Sequence, residues 1–146
     1  MHKLLVIHGP NLNLIGSREP EIYGYDSISV INSHIIEYAA ANGLEIDIKQ
    51  SNHEGQIIDW VQESVTLYHG LIINPGGLTH YSVSLLDALI SVTIPVIEVH
   101  MSNLFSRELF RSSSLTARSA TGFICGMGYV SYLAAVESLK ILLTSK

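Results

Sequence analysis

Glu98-Val99-His100, at the end of an apolar run, puts a carboxylate and an imidazole two residues apart. On a strand that spacing brings both to one face, where the acid fixes the ring's tautomer and stabilises its cation. A histidine supported in this way suits general acid–base chemistry. Met101, Ser102 and Asn103 follow at once, with Arg107 and Arg111 close behind. A second cluster, Asn74-Pro75-Gly76-Gly77-Leu78-Thr79-His80, adds an amide and another imidazole after the apolar run Leu71-Ile72-Ile73. A third runs from His8 through Gly9, Pro10, Asn11 and Asn13 to Arg18, Tyr23 and Gly24. It is long beside the roughly 2–6 residues of an ordinary strand-to-helix link, and long loops often serve as lids.

These residues narrow the chemistry. The first loop has no GxGxxG and no GxxxxGK[ST], and Pro10 removes a backbone donor, so it is a poor phosphate cradle. Arg18, Arg107 and Arg111 all fall in these loops of an acidic chain, which points to a small anionic ligand. The competing explanation is surface pairing with Glu19, Glu21 or Glu108. His80, Glu98 and His100 are types that can hold a metal, but the neighbouring amides suit hydroxyl and enol recognition better. No metal or cofactor is therefore expected. A serine hydrolase would need a GxSxG elbow, which is missing. Asn11 and Asn13 could simply satisfy turn geometry, and His80 could act as a cap. Asp87, seven residues after His80, would lie about two helical turns on and near the same face, there to orient site residues or to be solvated.

Something must hold these clusters together. Short apolar runs at Leu4–Ile7, Leu44–Ile48, Leu71–Ile73, Pro95–Val99 and Gly122–Cys125 read as strands. Helical spacing lies between and after them: Ile28, Ile31, Ile35 and Tyr38 behind Asp26-Ser27 and before Gly43; Ile57, Val61, Val65 and Tyr68 behind a Ser51/Glu54 capping box and before Gly70; Leu85, Ala88 and Leu89; and Tyr132 to Leu143. Strands alternating with helices imply parallel strands and right-handed crossovers. The expected fold is a flavodoxin-like α/β domain over residues 1–146. Its five-stranded parallel sheet has the order 2-1-3-4-5, helices on both faces, and the alternating second strand at an edge. Such sheets bind ligands where strand order reverses, beyond the carboxyl ends. Those ends are Ile7, Ile73 and Val99, where the three clusters begin.

Composition sets the outer bounds. Apolar residues make up 47% and charged residues 14%, enough for a sizeable core with an apolar surplus outside that would suit subunit contacts. Thirteen acidic residues against eight basic ones, with no Lys/Arg run, argue against nucleic acid. No apolar stretch approaches the roughly 20 residues of a membrane span, and the start lacks a secretory pattern. A cytoplasmic protein is expected. The single cysteine, Cys125, reads as packing.

Taken together, Gly-Pro-Asn-Leu-Asn-Leu (9–14), Arg-Glu-Pro-Glu-Ile-Tyr-Gly (18–24), Gln-Ser-Asn-His-Glu-Gly (50–55), Ile-Ile-Asn-Pro-Gly (72–76), Thr-His (79–80), Pro-Val-Ile-Glu-Val-His (95–100), Ser-Asn (102–103), Arg-Glu (107–108), Phe-Arg (110–111) and Ile-Cys-Gly (124–126) resemble the type II 3-dehydroquinate dehydratases. The resemblance implies removal of water from 3-dehydroquinate to give 3-dehydroshikimate, through an enolate and without Schiff base or metal. It implies Tyr23 as the base, Arg18 as the cation that keeps it ionised, Asn11 at the enolate oxygen through a water, and His100, oriented by Glu98, as the acid. A free phenol ionises near 10, and bringing it to about 8 requires about 2.7 kcal/mol. Substrate binding would fall to Asn74, His80, Asp87, Arg111 and the Met101-Ser102 backbone, with Asp87 tied to a neighbouring subunit. A homododecamer built as a tetramer of trimers is implied as well. The chain departs from the family pattern at His8 (usually Asn), Gly77-Leu78 (Ala-Tyr), Leu86 (often Arg) and Ser112-Ser113 (a histidine pair). The reading that competes with this one is a flavodoxin-like module that binds a small ligand without turning it over.

Overall fold

The computed structural model describes residues 1–17 and 19–145, with Tyr23 described by its backbone alone. Five strands form one parallel sheet in the order β2-β1-β3-β4-β5. They are β1 (Lys3–His8), β2 (Glu45–Gln50), β3 (Gly70–Asn74), β4 (Val96–His100) and β5 (Gly122–Cys125). The helices are a single-turn α1 (Pro20–Tyr23), α2 (Ile28–Ala41), α3 (Glu54–Leu67), α4 (Val83–Ile90) and α5 (Val130–Thr144). The expected topology and the edge position of the second strand are both observed.

The apolar runs became central strands because both faces of the sheet are covered. Alternate residues of one run serve opposite cores. Leu4, Val6, Ile72, Ile97 and Val99 pack with Ile31, Ile35, Tyr132, Val136 and Leu139 on one side. Leu5, Ile7, Leu71, Ile73 and Val96 pack with Ile57, Val61, Leu85 and Leu89 on the other. Register places His8 beside both Gln50 and Asn74, so three strands end level at the point of order reversal.

Local punctuation agrees in part. Ser27 caps α2 by accepting the Val30 N–H, and Ser82 caps α4 by accepting that of Leu85. The Ser51/Glu54 capping box does not form. β2 runs on to Gln50, so Ser51 still belongs to the turn leaving the strand, and its hydroxyl accepts the His53 N–H at 2.9 Å. Gly70 is no helix stop: α3 ends at Leu67 and Gly70 begins β3. A Cβ there would lie 3.1 Å from methyls of Leu4 and Leu139, so glycine admits α5 close to the sheet. His80 does not open a helix either. It closes a 3₁₀ turn over Gly76–His80, and α4 starts only at Val83, which removes the continuous two-turn path to Asp87.

His8, at the end of β1, is fully buried. Its Nε2 lies 2.8 Å from Asn32 Oδ1 and its Nδ1 2.9 Å from the Tyr132 hydroxyl. Burial pushes the imidazole down to about 4, with the Asn32 hydrogen bond opposing in part. The unfolded chain takes up this proton near 6.5, while the folded chain refuses it until about 4. Folding stability from His8 is thus full above about 6.5 and drains away as pH falls towards 4, by about 3 kcal/mol in all. Thermal melts between pH 7 and 4.5 should show a steeper loss in the native chain than in His8→Asn. Parallel curves would exclude His8 as the source.

Candidate active site

The strand ends that meet at the reversal point carry loops in backbone-to-backbone contact. A Cβ on Gly9 would sit 2.5 Å from the Pro75 carbonyl oxygen, and the Gly9 N–H donates to the Asn74 carbonyl at 2.8 Å. Beyond this seam opens a cleft of about 150 Å³ lined by side chains from all three clusters.

Asn11 lines the cleft from the first loop, with backbone φ of 69°, a left-handed conformation that asparagine tolerates better than most residues. Its N–H donates to Asn52 Oδ1 at 2.9 Å, and Gln50 Nε2 donates to the same oxygen and to the Gly9 carbonyl. Asn74 ends β3 nearly buried, its Oδ1 accepting the Gly76 N–H at 3.1 Å. His80 lies 2.8 Å from the Ser113 carbonyl through Nδ1, which therefore donates and leaves Nε2 for other partners. Met101 and Ser102 continue from β4 along the wall, and Arg107 Nη1 donates to Ser102 Oγ at 3.3 Å. Arg111 lines the cleft while its Nε donates to Glu108 at 2.8 Å and its guanidinium stacks over Phe110. Anion capture and surface pairing, posed as alternatives from sequence, are thus both available to Arg111.

His100 ends β4 at 4% exposure, with Glu98 at 1% directly behind it. His100 Nε2 donates to Glu98 Oε2 at 2.9 Å, so Nδ1 is the nitrogen left to the cleft that the ring lines. Three hydroxyls complete the carboxylate's surroundings. Thr79 and Ser114 donate to Oε2, each at 2.9 Å, and Thr116 donates to Oε1. Burial pushes this carboxyl up, but the bond and charge of His100 together with Thr116 and Ser114 outweigh it and hold the group below its ordinary range. The pair keeps an anion behind an imidazole and fixes the ring's orientation through Nε2.

Asp87 is not part of this cleft. It stands exposed on α4, and the cleft lining does not include it. Arg18 and the Tyr23 side chain lie outside the described residues. Their loop neighbours Glu21, Ile22 and Gly24 border a second hollow, about 470 Å³, that shares Met101, Ser102 and Arg107 with the cleft. Sequence reasoning left out Thr79, Ser114 and Thr116 as partners of Glu98. The hydroxyl-rich run from Ser112 to Thr116 was the available signal, but nothing in its spacing pointed to a carboxylate on β4. Among the described residues, no group of three or more His, Cys, Asp or Glu side chains is arranged to hold a metal ion.

A family model described as Dehydroquinase class II matches residues 2–140. The 3-dehydroquinate dehydratase of Halothermothrix orenii is 52% identical over 139 residues, covering 95% of this chain and 94% of that protein. The enzyme of the same name from Dictyoglomus turgidum is 53% identical over 139 residues, covering 95% and 96%. Among solved structures, the type II dehydroquinase from Butyrivibrio crossotus superposes with a TM-score of 0.93 at 46% identity, covering 94% of this chain and 97% of that one. The corresponding protein from Propionibacterium acnes also gives 0.93, at 35% identity and coverages of 96% and 97%.

The geometry around Glu98 carries its own test. Thr116→Val leaves Oε1 without its buried donor and should lower stability in urea by about 1–3 kcal/mol, while Thr116→Ser retains most of it. Equal stabilities for native and valine forms would mean that the hydroxyl contributes nothing.

Proposed function

The chain belongs to the dehydroquinase class II family, and from that membership and the cleft we propose that it dehydrates 3-dehydroquinate to 3-dehydroshikimate in the shikimate pathway, through an enolate. The observation that carries this reading is the buried Glu98–His100 pair facing the same cleft as Asn11.

The Tyr23 phenolate takes the proton from the carbon beside the ketone, and that electron pair moves onto the ketone oxygen as an enolate. Arg18, on the same loop, keeps the phenol ionised. Asn11, through a water, supplies hydrogen bonds to the oxygen where charge develops. When the enolate collapses, the C–O bond to the departing hydroxyl breaks, and the His100 imidazolium gives up its Nδ1 proton to release water. Glu98 stabilises that cation and keeps the ring in one orientation. The substrate carboxylate lies against the Met101-Ser102 backbone, with Arg111, His80 and Asn74 holding the rest of the ring. Asp87, outside its own chain's cleft, serves a neighbouring copy. Exposed apolar side chains such as Phe105, Leu109 and Phe110, at 68%, 86% and 64%, suit assembly with further copies into a homododecamer in the cytoplasm.

Following the enone absorbance after adding 3-dehydroquinate tests the reaction directly. Turnover should persist in EDTA. Tyr23→Phe should lower kcat by several orders of magnitude with KM little changed. No absorbance change with the native chain would remove the dehydratase reading in favour of a binding module, and near-native turnover by Tyr23→Phe would remove the base assignment.

A further inference from the structure

Asn74 is 3% exposed, lines the cleft, and has its amide fixed at both ends. Its Oδ1 accepts from Gly76 N, and its Nδ2 donates to the Tyr132 hydroxyl at 2.9 Å. Tyr132, on α5, is fully buried, and that burial pushes its phenol far above the ordinary range, so it keeps its hydrogen. With one side of its oxygen accepting from Asn74, the O–H points to the other polar neighbour, His8 Nδ1, 2.9 Å away. That nitrogen must then be bare. The imidazole proton is placed on Nε2, where it meets Asn32 Oδ1 at 2.8 Å. Every donor in the chain Asn74–Tyr132–His8–Asn32 has a single direction, and reversing any one leaves a buried group facing its own kind.

From this geometry we propose that Tyr132 and His8 are positioning residues for the cleft. They lock the Asn74 amide so that its second Nδ2–H and remaining Oδ1 lone pair are presented to a bound hydroxylated substrate. The proposal rests on the dehydratase reading for the identity of that substrate, but not for the lock itself. A purely structural role would leave Tyr132 as a filler between α5 and the sheet, its hydroxyl satisfied but without effect on the cleft. The directional chain distinguishes the two, because it predicts a consequence at Asn74 for losing one oxygen atom from a residue that never lines the cleft.

The experiment is steady-state kinetics on the full chain with 3-dehydroquinate, alongside ¹⁵N–¹H spectra of the Asn74 side-chain amide. Tyr132→Phe should raise KM about five- to tenfold, the size of one neutral hydrogen bond, with kcat within about twofold. His8→Leu, which removes the acceptor that aims the Tyr132 hydroxyl, should act in the same direction. His8→Asn offers an Oδ1 in place of Nδ1 and should stay near the native KM. In the spectra, the Asn74 amide signal should shift in Tyr132→Phe and hold its place in His8→Asn. A folded Tyr132→Phe with native KM and an unmoved Asn74 signal would overturn the lock. If Tyr132→Phe does not fold, the two His8 variants decide it, and equal KM and equal spectra for leucine and asparagine would overturn it as well. Should the native chain leave 3-dehydroquinate untouched, the functional reading fails, and the Asn74 signal alone decides the lock.

Discussion

A carboxylate sealed inside the sheet at 1% exposure is the constraint around which the catalytic end of this molecule is arranged. Removing such a charge from water costs several kcal/mol unless partners replace its hydration. The partners of Glu98 come from separate stretches of chain: His100 from its own strand, Thr79 from the turn after β3, and Ser114 and Thr116 from the long connection between β4 and β5. That connection is built on short 3₁₀ turns over Leu104–Ser106, Leu109–Arg111 and Thr116–Ser119. This carboxylate is among the contacts that hold it in place, with the Leu115 N–H donating to the Thr79 carbonyl at 2.7 Å and His80 Nδ1 donating to the Ser113 carbonyl. The anion therefore does two things at once: it aims an imidazole into the cleft and fastens the loop that forms part of its wall.

The opposite wall depends on backbone rather than charge. Gly9 and Gly76 let the loops after β1 and β3 approach within the space a side chain would fill. Asn52, just past the edge strand, braces Asn11 from behind and is itself held by Gln50 at the strand's end. The cleft is thus bounded on one side by a satisfied ion and on the other by a glycine seam, and both are set by where parallel strands end.

Much of this was legible in sequence because it follows from short-range pattern. Unbroken apolar runs gave the central strands, Glu45 and Asp47 between Leu44, Ile46 and Ile48 marked the edge, and the order reversal then located the cleft beyond Ile7, Ile73 and Val99. Glu98 and His100 could be paired because strand alternation relates them directly. What could not be read depends on long-range contacts or on competition for a single residue. Ser51 looked like a cap but was claimed by the turn out of β2, and Gly70 looked like a stop but was needed for helix-to-sheet packing. The count from His80 to Asp87 assumed one continuous helix, which a turn at Tyr81 interrupts. Of its two readings, orienting the site or standing solvated, the exposed side chain fits the second within its own chain. The hydroxyls on Glu98 and the Tyr132–His8 pair join positions from 16 to 124 residues apart, a range over which no periodicity carries information.

The left-handed backbone at Asn11 narrows what evolution can try there. Only glycine, asparagine and aspartate occupy that conformation with ease. Glycine would erase the amide. Aspartate, one nucleotide change away, would set a negative group beside a cleft that Arg107 and Arg111 also line, opposing whatever anion they attract. Neither escape is neutral, so drift at this position is blocked twice, once by torsion angle and once by charge.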